Sequence, residues 1–525
     1  MPSEKENLGL RLLKKSRKGI LRMVFSRTTL ITLLLLINFA LLFLLFFRFS
    51  AYWPEAYGLM GLLSIAMALY LFNSQLDPSA KLTWLVLISL LPVFGTLFYL
   101  FTLTDFGHRA MVKRWKSGSI ETNSALVQDK PVMQRLKTDA PELSALSAYI
   151  NRTGCFPVFD NTDVRYFPSG EAKYEALLKE LEKAQHFIFL EYFIIEEGIM
   201  WGNILDILAR KAKEGVEVRL LYDGSCEFAL LPRSYPKMLE ELGIKCRVFS
   251  PVSPFVSTHY NYRDHRKILV IDGNCAFTGG INLADEYINR GSRFGHWKDC
   301  AIMLRGEAVK SFTLMFLQMW NMSDKTTELG DYLDYPANPP ANASGYVMPY
   351  GDSPLDAEHV GKQVYVDILN RAERYVHIMS PYLILDAETE NALKFAAKRG
   401  VDVALILPGI PDKKLPYALA KGHYKSLLSA GVKIYEYSPG FVHSKLFVSD
   451  DIKAVVGTIN LDYRSFSHHF ECAAYMHGTG CIKDIEADFE NTLKLCRRAS
   501  METVKKEKLS LKLLGILMKV VAPLM

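Results

Sequence analysis

The chain has 525 residues, half of them hydrophobic and 22% charged, with a formal net charge of +6 and a mean hydropathy of +0.07. That length holds several domains of roughly 100–200 residues each, and the wealth of Leu, Ile, Val and Phe excludes a collagenous, disordered or low-complexity chain. The charge is too small to point to nucleic acid. The eight cysteines form neither a CxxC pair nor a Cys/His zinc spacing, which excludes a disulfide scaffold and argues against structural zinc.

Residues 1–27 are a basic leader containing Lys5, Arg11, Lys14, Lys15, Arg17, Lys18, Arg22 and Arg27. The apolar excess follows, almost all of it before residue 105. Residues 28–47 and 82–101 are uncharged runs of twenty, and residues 56–72 a run of seventeen. A bilayer core of about 30 Å takes about 20 apolar residues, so 28–104 is expected to be a transmembrane region of two to three helices. The first run is too long, and lacks the small-residue site, for a cleaved signal peptide. Both the leader and the cluster Arg109, Lys113, Arg114 and Lys116 argue for the cytoplasmic side. Three crossings would separate them. Two crossings, with one run re-entrant or interfacial, would keep both in the cytoplasm, and the expectation is a multi-pass cell-membrane protein with cytoplasmic catalytic lobes.

After a connector, residues 105–165, the pattern becomes globular and repeats itself. Lobe 1, residues 166–334, has a helix at 174–184, an apolar strand at 187–193 and a strand at 216–222. Lobe 2, residues 351–500, has a helix at 364–374 and strands at 376–380 and 401–407. Residues 335–350, rich in Pro and Asn, form the linker. Strands alternating with helices argue for an α/β fold of two homologous lobes, each a helix-flanked sheet, at a period of domain size rather than a solenoid unit.

Each lobe carries one motif of the form HxKxxxxDx6GxxN. In lobe 1 it is His265, Lys267 and Asp272 followed by Asn282; in lobe 2 it is His443, Lys445 and Asp450 followed by Asn460. Residues two apart share a strand face, so each His and Lys point together. The steps after Asp272 and at Asp450 are hairpin-turn chemistry, and the return strand brings the Asn back. Imidazole, ammonium and amide together make a phosphate half-site. Two facing half-sites supply a nucleophile that forms a phosphohistidine and an acid that protonates the leaving alcohol. Asp272 and Asp450 are counted with this catalytic set, although their turn position favours holding the turn by hydrogen bonds. A nucleophilic His also needs its far ring nitrogen held. Asp299, 34 residues after His265, and Glu471, 28 after His443, are the candidates. No metal or cofactor is required, because the two lysines offset the phosphate charge. His259, His296, His468 and His469 match nothing in the other lobe and are expected at the surface or the lobe interface. Tyr262, Tyr382 and Tyr463 are candidates for a lipid cleft or for core packing.

The chain closes on residues 501–525, where Lys505, Lys506, Lys508, Lys512 and Lys519 alternate with Leu, Ile and Val. This is the composition of a basic amphipathic helix in a headgroup layer, with an ordinary packed surface helix as the alternative.

The paired motifs resemble those of the phospholipase D superfamily, and the whole arrangement is similar to its bacterial cardiolipin synthases. Residues 78–84, 91–95 and 97–100 resemble their membrane segment. Residues 261–265, 277–282, 285–287 and 460–466 resemble their catalytic lobes, so the likeness runs from about residue 55 to the end. The leader and the first run depart from the usual two-helix pattern. The resemblance implies two phospholipase D-like lobes and phosphatidylglycerol as donor and acceptor within membrane lipids, with no nucleic acid. It further implies His265 as nucleophile, His443 as acid and base, and Lys267, Lys445, Asn282 and Asn460 holding the phosphate. A phospholipase D hydrolase, a phosphatidylserine synthase and a superfamily nuclease are further readings, as is a catalytically silent scaffold. Oligomeric state is left open.

Overall fold

The computed structural model describes residues 57–524 apart from 75, 105, 123, 252–260, 292, 325–328, 337–339, 341–342 and 357, together with positions 36, 40, 43, 44, 47 and 48. The basic leader, most of the first apolar run, His259 and half of the linker's Pro/Asn stretch lie outside the described residues.

The second apolar run forms the helix Tyr57–Asn73. The third does not form the single helix its length suggests. Asp77 caps a helix Pro78–Leu90 by accepting from the N–H groups of Ser79 and Ala80 at 2.8 and 3.4 Å. Leu91 then leaves the helical region, at φ −135° and ψ 73°, because the ring of Pro92 disfavours α geometry in the residue before it. A second helix, Pro92–Thr104, folds back on the first. Gly95 permits the close approach, since a Cβ there would lie 2.9 Å from Ile88 Cα. The run of twenty is thus a hairpin of two 13-residue helices, each about 20 Å long. Among the described residues no helix is long and apolar enough to cross a membrane. Met67, Leu71, Trp84, Ile88 and Tyr99 form a small core of their own, while Leu62, Leu69, Phe72, Leu82, Leu90 and Leu97 are more than half exposed.

Two mixed sheets follow, built to one plan. The first runs Thr162–Phe167, Ala301–Gly306, Cys275–Gly279, Lys267–Ile271, Phe187–Tyr192, Glu217–Asp223, Lys245–Phe249. The second repeats that order with Tyr346–Asp352, His469–His477, Lys453–Gly457, Leu446–Ser449, Tyr375–Met379, Asp402–Pro408 and Lys433–Tyr437, adding Cys496–Arg498 at its edge. In both, the first four pairings are antiparallel and the next two parallel, and the added edge strand pairs antiparallel. Strand alternation sends Phe187, Phe189, Ile268 and Val270 into a core shared with lobe 2, and Ile188, Leu190, Leu269 and Ile271 into a core of lobe 1. The helix Val309–Asp324 packs against strands of both sheets.

The lobes also exchange short strands. Arg263–Asp264, just before the first motif, pairs in parallel with His469 and Phe470 of lobe 2. Gly440–Val442, just before the second motif, pairs in parallel with His296–Lys298 of lobe 1.

The C-terminus is two helices, Met501–Lys506 and Leu509–Val521. The second docks on Lys414–Ser429 of lobe 2, where Gly515 lets the backbones meet (a Cβ would lie 2.6 Å from Ala418 O). It also touches the apolar hairpin: Thr83 Oγ1 donates to Val520 O at 2.6 Å. One face is therefore packed, while Leu509, Leu513, Ile516 and Leu517 stay exposed on the other.

Candidate active site

Each motif lies on a hairpin strand. The turns place Asp272 and Gly273 at φ 49° and 62°, and Asp450 and Asp451 at φ 57° and 61°. Such left-handed pairs match the twist of a two-residue hairpin. The Asp272 carboxylate accepts from the N–H groups of Gln185, His186 and Phe187, each at 2.8 Å. Asp450 does the same for Glu373, Arg374 and Tyr375 at 2.9–3.0 Å. Both stand about 16 Å along their strands from the motif lysines. This corrects their inclusion in the catalytic set: they clamp the turn to the start of the neighbouring strand.

The imidazoles and ammoniums gather at the opposite end. His265, Lys267, His443 and Lys445 are all buried, and each lysine Nζ donates to the carbonyl of its own motif histidine at 2.5 Å. His265 Nδ1 lies 2.9 and 3.0 Å from the two carboxylate oxygens of Glu471. His443 Nδ1 lies 2.8 Å from Asp299 Oδ2. The pairing is crossed: each candidate carboxylate holds the histidine of the other lobe, not the one it follows in sequence. The exchanged strands explain it. His265 N–H donates to Phe470 O at 2.9 Å and His443 N–H to Lys298 O at 2.7 Å, so each histidine is stitched beside the residue preceding the other lobe's carboxylate.

The carboxylates are fixed in turn. Thr458 donates its hydroxyl to Glu471, and the Cys300 N–H donates to Asp299 at 2.8 Å. Gly280, at the place of Thr458, leaves room for Asp299, whose Oδ1 a Cβ would meet at 2.1 Å. Burial, then Lys267 and Lys445, pushes the His265 pKa well below its ordinary value. Burial and Lys445 lower His443 to about 4. Burial also brings Lys267 down to about 8 and Lys445 to about 7. Burial would raise Asp299, yet His443 and Lys445 hold it below its usual range. Near neutrality both rings are unprotonated at one nitrogen, which suits nucleophilic attack.

Asn282 is engaged within lobe 1: its Oδ1 accepts from Ile194 N–H at 3.1 Å and its Nδ2 donates to Tyr287 OH at 2.6 Å. Asn460 donates to Asp462 at 3.2 Å, and its buried Oδ1 has no hydrogen bond among the described residues. Sequence reasoning missed the walls. The His265 ring stands 5.0 Å from the rings of both Phe193 and His469. The His443 ring stands 5.3 Å from Trp297 and 5.4 Å from Tyr287. Trp297 and His469 each precede an orienting carboxylate by two residues, and that shared spacing was the signal available. Lys173, buried and pushed down to about 7, donates to Ile281 O at 3.2 Å; it belongs to no repeated motif. His296 sits at the lobe interface, hydrogen-bonded to Tyr437 at 3.0 Å.

Comparison with known proteins matches this architecture. A family described as "Cardiolipin synthase, PLD-like domain" matches residues 177–320 and 365–493, and one described as "Phospholipase_D-nuclease N-terminal" matches 62–102. An uncharacterised protein of Streptococcus mutans is 57% identical over 461 residues, covering 88% of this chain and all of that one. The cardiolipin synthase of Alkalihalophilus pseudofirmus is 34% identical, covering 88% of this chain and 92% of its own. That of a Geobacillus species is also 34% identical, over 89% and 94%. Among solved structures, the phosphatidylserine synthase of Haemophilus influenzae superposes with a TM-score of 0.54 at 12% identity, over 73% of this chain and 98% of that one, and so shares the fold. On the matched lobes and these relatives, the chain belongs to the cardiolipin synthase family of phospholipase D-type phosphatidyltransferases.

Proposed function

We propose that the protein joins two phosphatidylglycerol molecules into cardiolipin with release of glycerol, through a phosphohistidine. The observation that carries this reading is the pair of buried imidazoles, each with Nδ1 held by a carboxylate of the other lobe. A carboxylate on Nδ1–H leaves Nε2 with its lone pair. Nε2 of His265 attacks the phosphorus of the first lipid, and the bond from phosphorus to the glycerol oxygen breaks. His443, which takes up a proton when the phosphodiester charge is bound beside it, gives it to the departing alkoxide. The headgroup hydroxyl of the second lipid then loses its proton to His443 and attacks phosphorus, and the P–N bond breaks. Lys267 and Lys445 offset the anionic charge throughout, and Asn282 and Asn460 are proposed phosphate ligands. Aromatic walls favour an alcohol over water as acceptor by excluding bulk solvent.

The same reading seats the protein on the cell membrane with its lobes on the cytoplasmic face. Support comes from the exposed leucines of the apolar hairpin and of the C-terminal helix, which meet at Thr83 and Val520. The test uses purified protein in phosphatidylglycerol vesicles, with lipid products separated beside His265→Ala and His443→Ala. Cardiolipin with equimolar glycerol, lost in both variants, is expected. Phosphatidic acid instead would make the protein a hydrolase.

A further inference from the structure

The proposed reaction gives His469 no task, yet its ring stands beside that of His265. The side chain is 7% exposed and its ring stands 5.0 Å from that of His265. Its Nδ1 is 3.4 Å from Glu471 Oε1 but makes no hydrogen bond among the described residues. The same Glu471 oxygen is 2.9 Å from His265 Nδ1. One ligand atom from each of the three residues lies within 4.8 Å of the others. Nitrogen and oxygen ligands at about 2.0–2.1 Å around tetrahedral zinc stand ~3.3 Å apart, so the trio already approximates one face of such a site. Two imidazoles and a carboxylate are also the donor set that borderline dications prefer. The other half-site lacks this property, because Trp297 occupies the position of His469 and an indole N–H has no lone pair to give.

We propose that His265, His469 and Glu471 form a binding site for a borderline divalent cation, Zn2+ foremost, that inhibits the enzyme by occupying the His265 half-site. The inference rests on the reading above only for the consequence of occupation. A metal on Nδ1 of the neutral His265 ring leaves the ring's one proton on Nε2, so the lone pair that attacks phosphorus is lost. Glu471 exchanges its hydrogen bond for the metal. No bond to substrate forms or breaks, and chelation returns the proton to Nδ1. Lys267, Lys445, His443 and Arg464 act on these imidazoles. The positive charge of the lysines and Arg464 weakens a dication's hold relative to a closed structural zinc site.

Full-length protein in detergent is titrated with Zn2+ by calorimetry, beside His469→Asn and Trp297→Phe, with Co2+ absorption as the spectroscopic readout. Wild type and Trp297→Phe are expected to bind one ion per chain, with visible Co2+ bands of tetrahedral ligation. His469→Asn is expected to bind at least tenfold more weakly and to lose those bands, with His469→Gln in its place if the Asn variant does not fold. In vesicles, Zn2+ is expected to stop wild-type lipid turnover and a chelator to restore it. Equal Zn2+ affinity in wild type and His469→Asn, or no binding at all, overturns the proposal. Absence of turnover in metal-free protein counts against the proposed reaction alone and leaves the binding result standing.

Discussion

Each motif imidazole depends on one carboxylate across the lobe boundary, so the carboxylates divide the reaction between them. Replacing Glu471 by Gln removes the acceptor that keeps the proton on His265 Nδ1, and Asp299→Asn does the same for His443. Each is expected to slow turnover by about 10²–10⁴-fold. Rapid-quench trapping should separate them, with Glu471→Gln accumulating less phosphoenzyme and Asp299→Asn slowing alcohol release. Lys445 sets a pH response with opposite effects on activity and stability. Burial lowers its folded pKa to about 7, while an unfolded lysine keeps its proton to about 10.4. Between those values the unfolded chain binds more protons, so this lysine's contribution to stability rises with pH as its phosphate affinity falls. Turnover is expected to decline above pH 7 while the melting temperature does not, and Lys445→Met should flatten the stability slope. The histidines and lysines were legible because the motif occurs twice. The crossing was not, because spacing along the chain says nothing about which lobe a strand will pair with.

At the scale of elements, the motif aspartates act on architecture. Asp272 and Asp450 each gather three backbone N–H groups at a hairpin base. Either Asp→Ala change leaves those donors short of a partner and is expected to cost about 1–3 kcal/mol. Denaturant unfolding checks the loss, with the rate per folded molecule retained. Hairpin and turn were readable from Asp-Gly and Asp-Asp between apolar strands. The apolar run of residues 82–101 was misjudged because its length was counted and Pro92 within it was not. Here Leu91 leaves the helical region before Pro92, and the run becomes two helices of 13 residues each.

At the scale of the molecule, the repeated order of helices and strands gave the two-lobe α/β plan, and both sheets share one strand order. What the repeat did not disclose is that the apolar hairpin meets the C-terminal helix. The C-terminal helix lies against the apolar hairpin, so segments over 400 residues apart present one apolar surface. Ile516→Asp with Leu517→Asp, both at exposed positions, is expected to lower recovery in vesicle flotation while thermal stability holds. The exchanged strands have a different consequence, for how far one lobe can act without the other. Each half of this chain holds the carboxylate that contacts the other half's motif histidine. Such an arrangement cannot shed one half and work at half speed, because either lobe alone has an imidazole without its carboxylate. The repeat gives interdependence rather than redundancy.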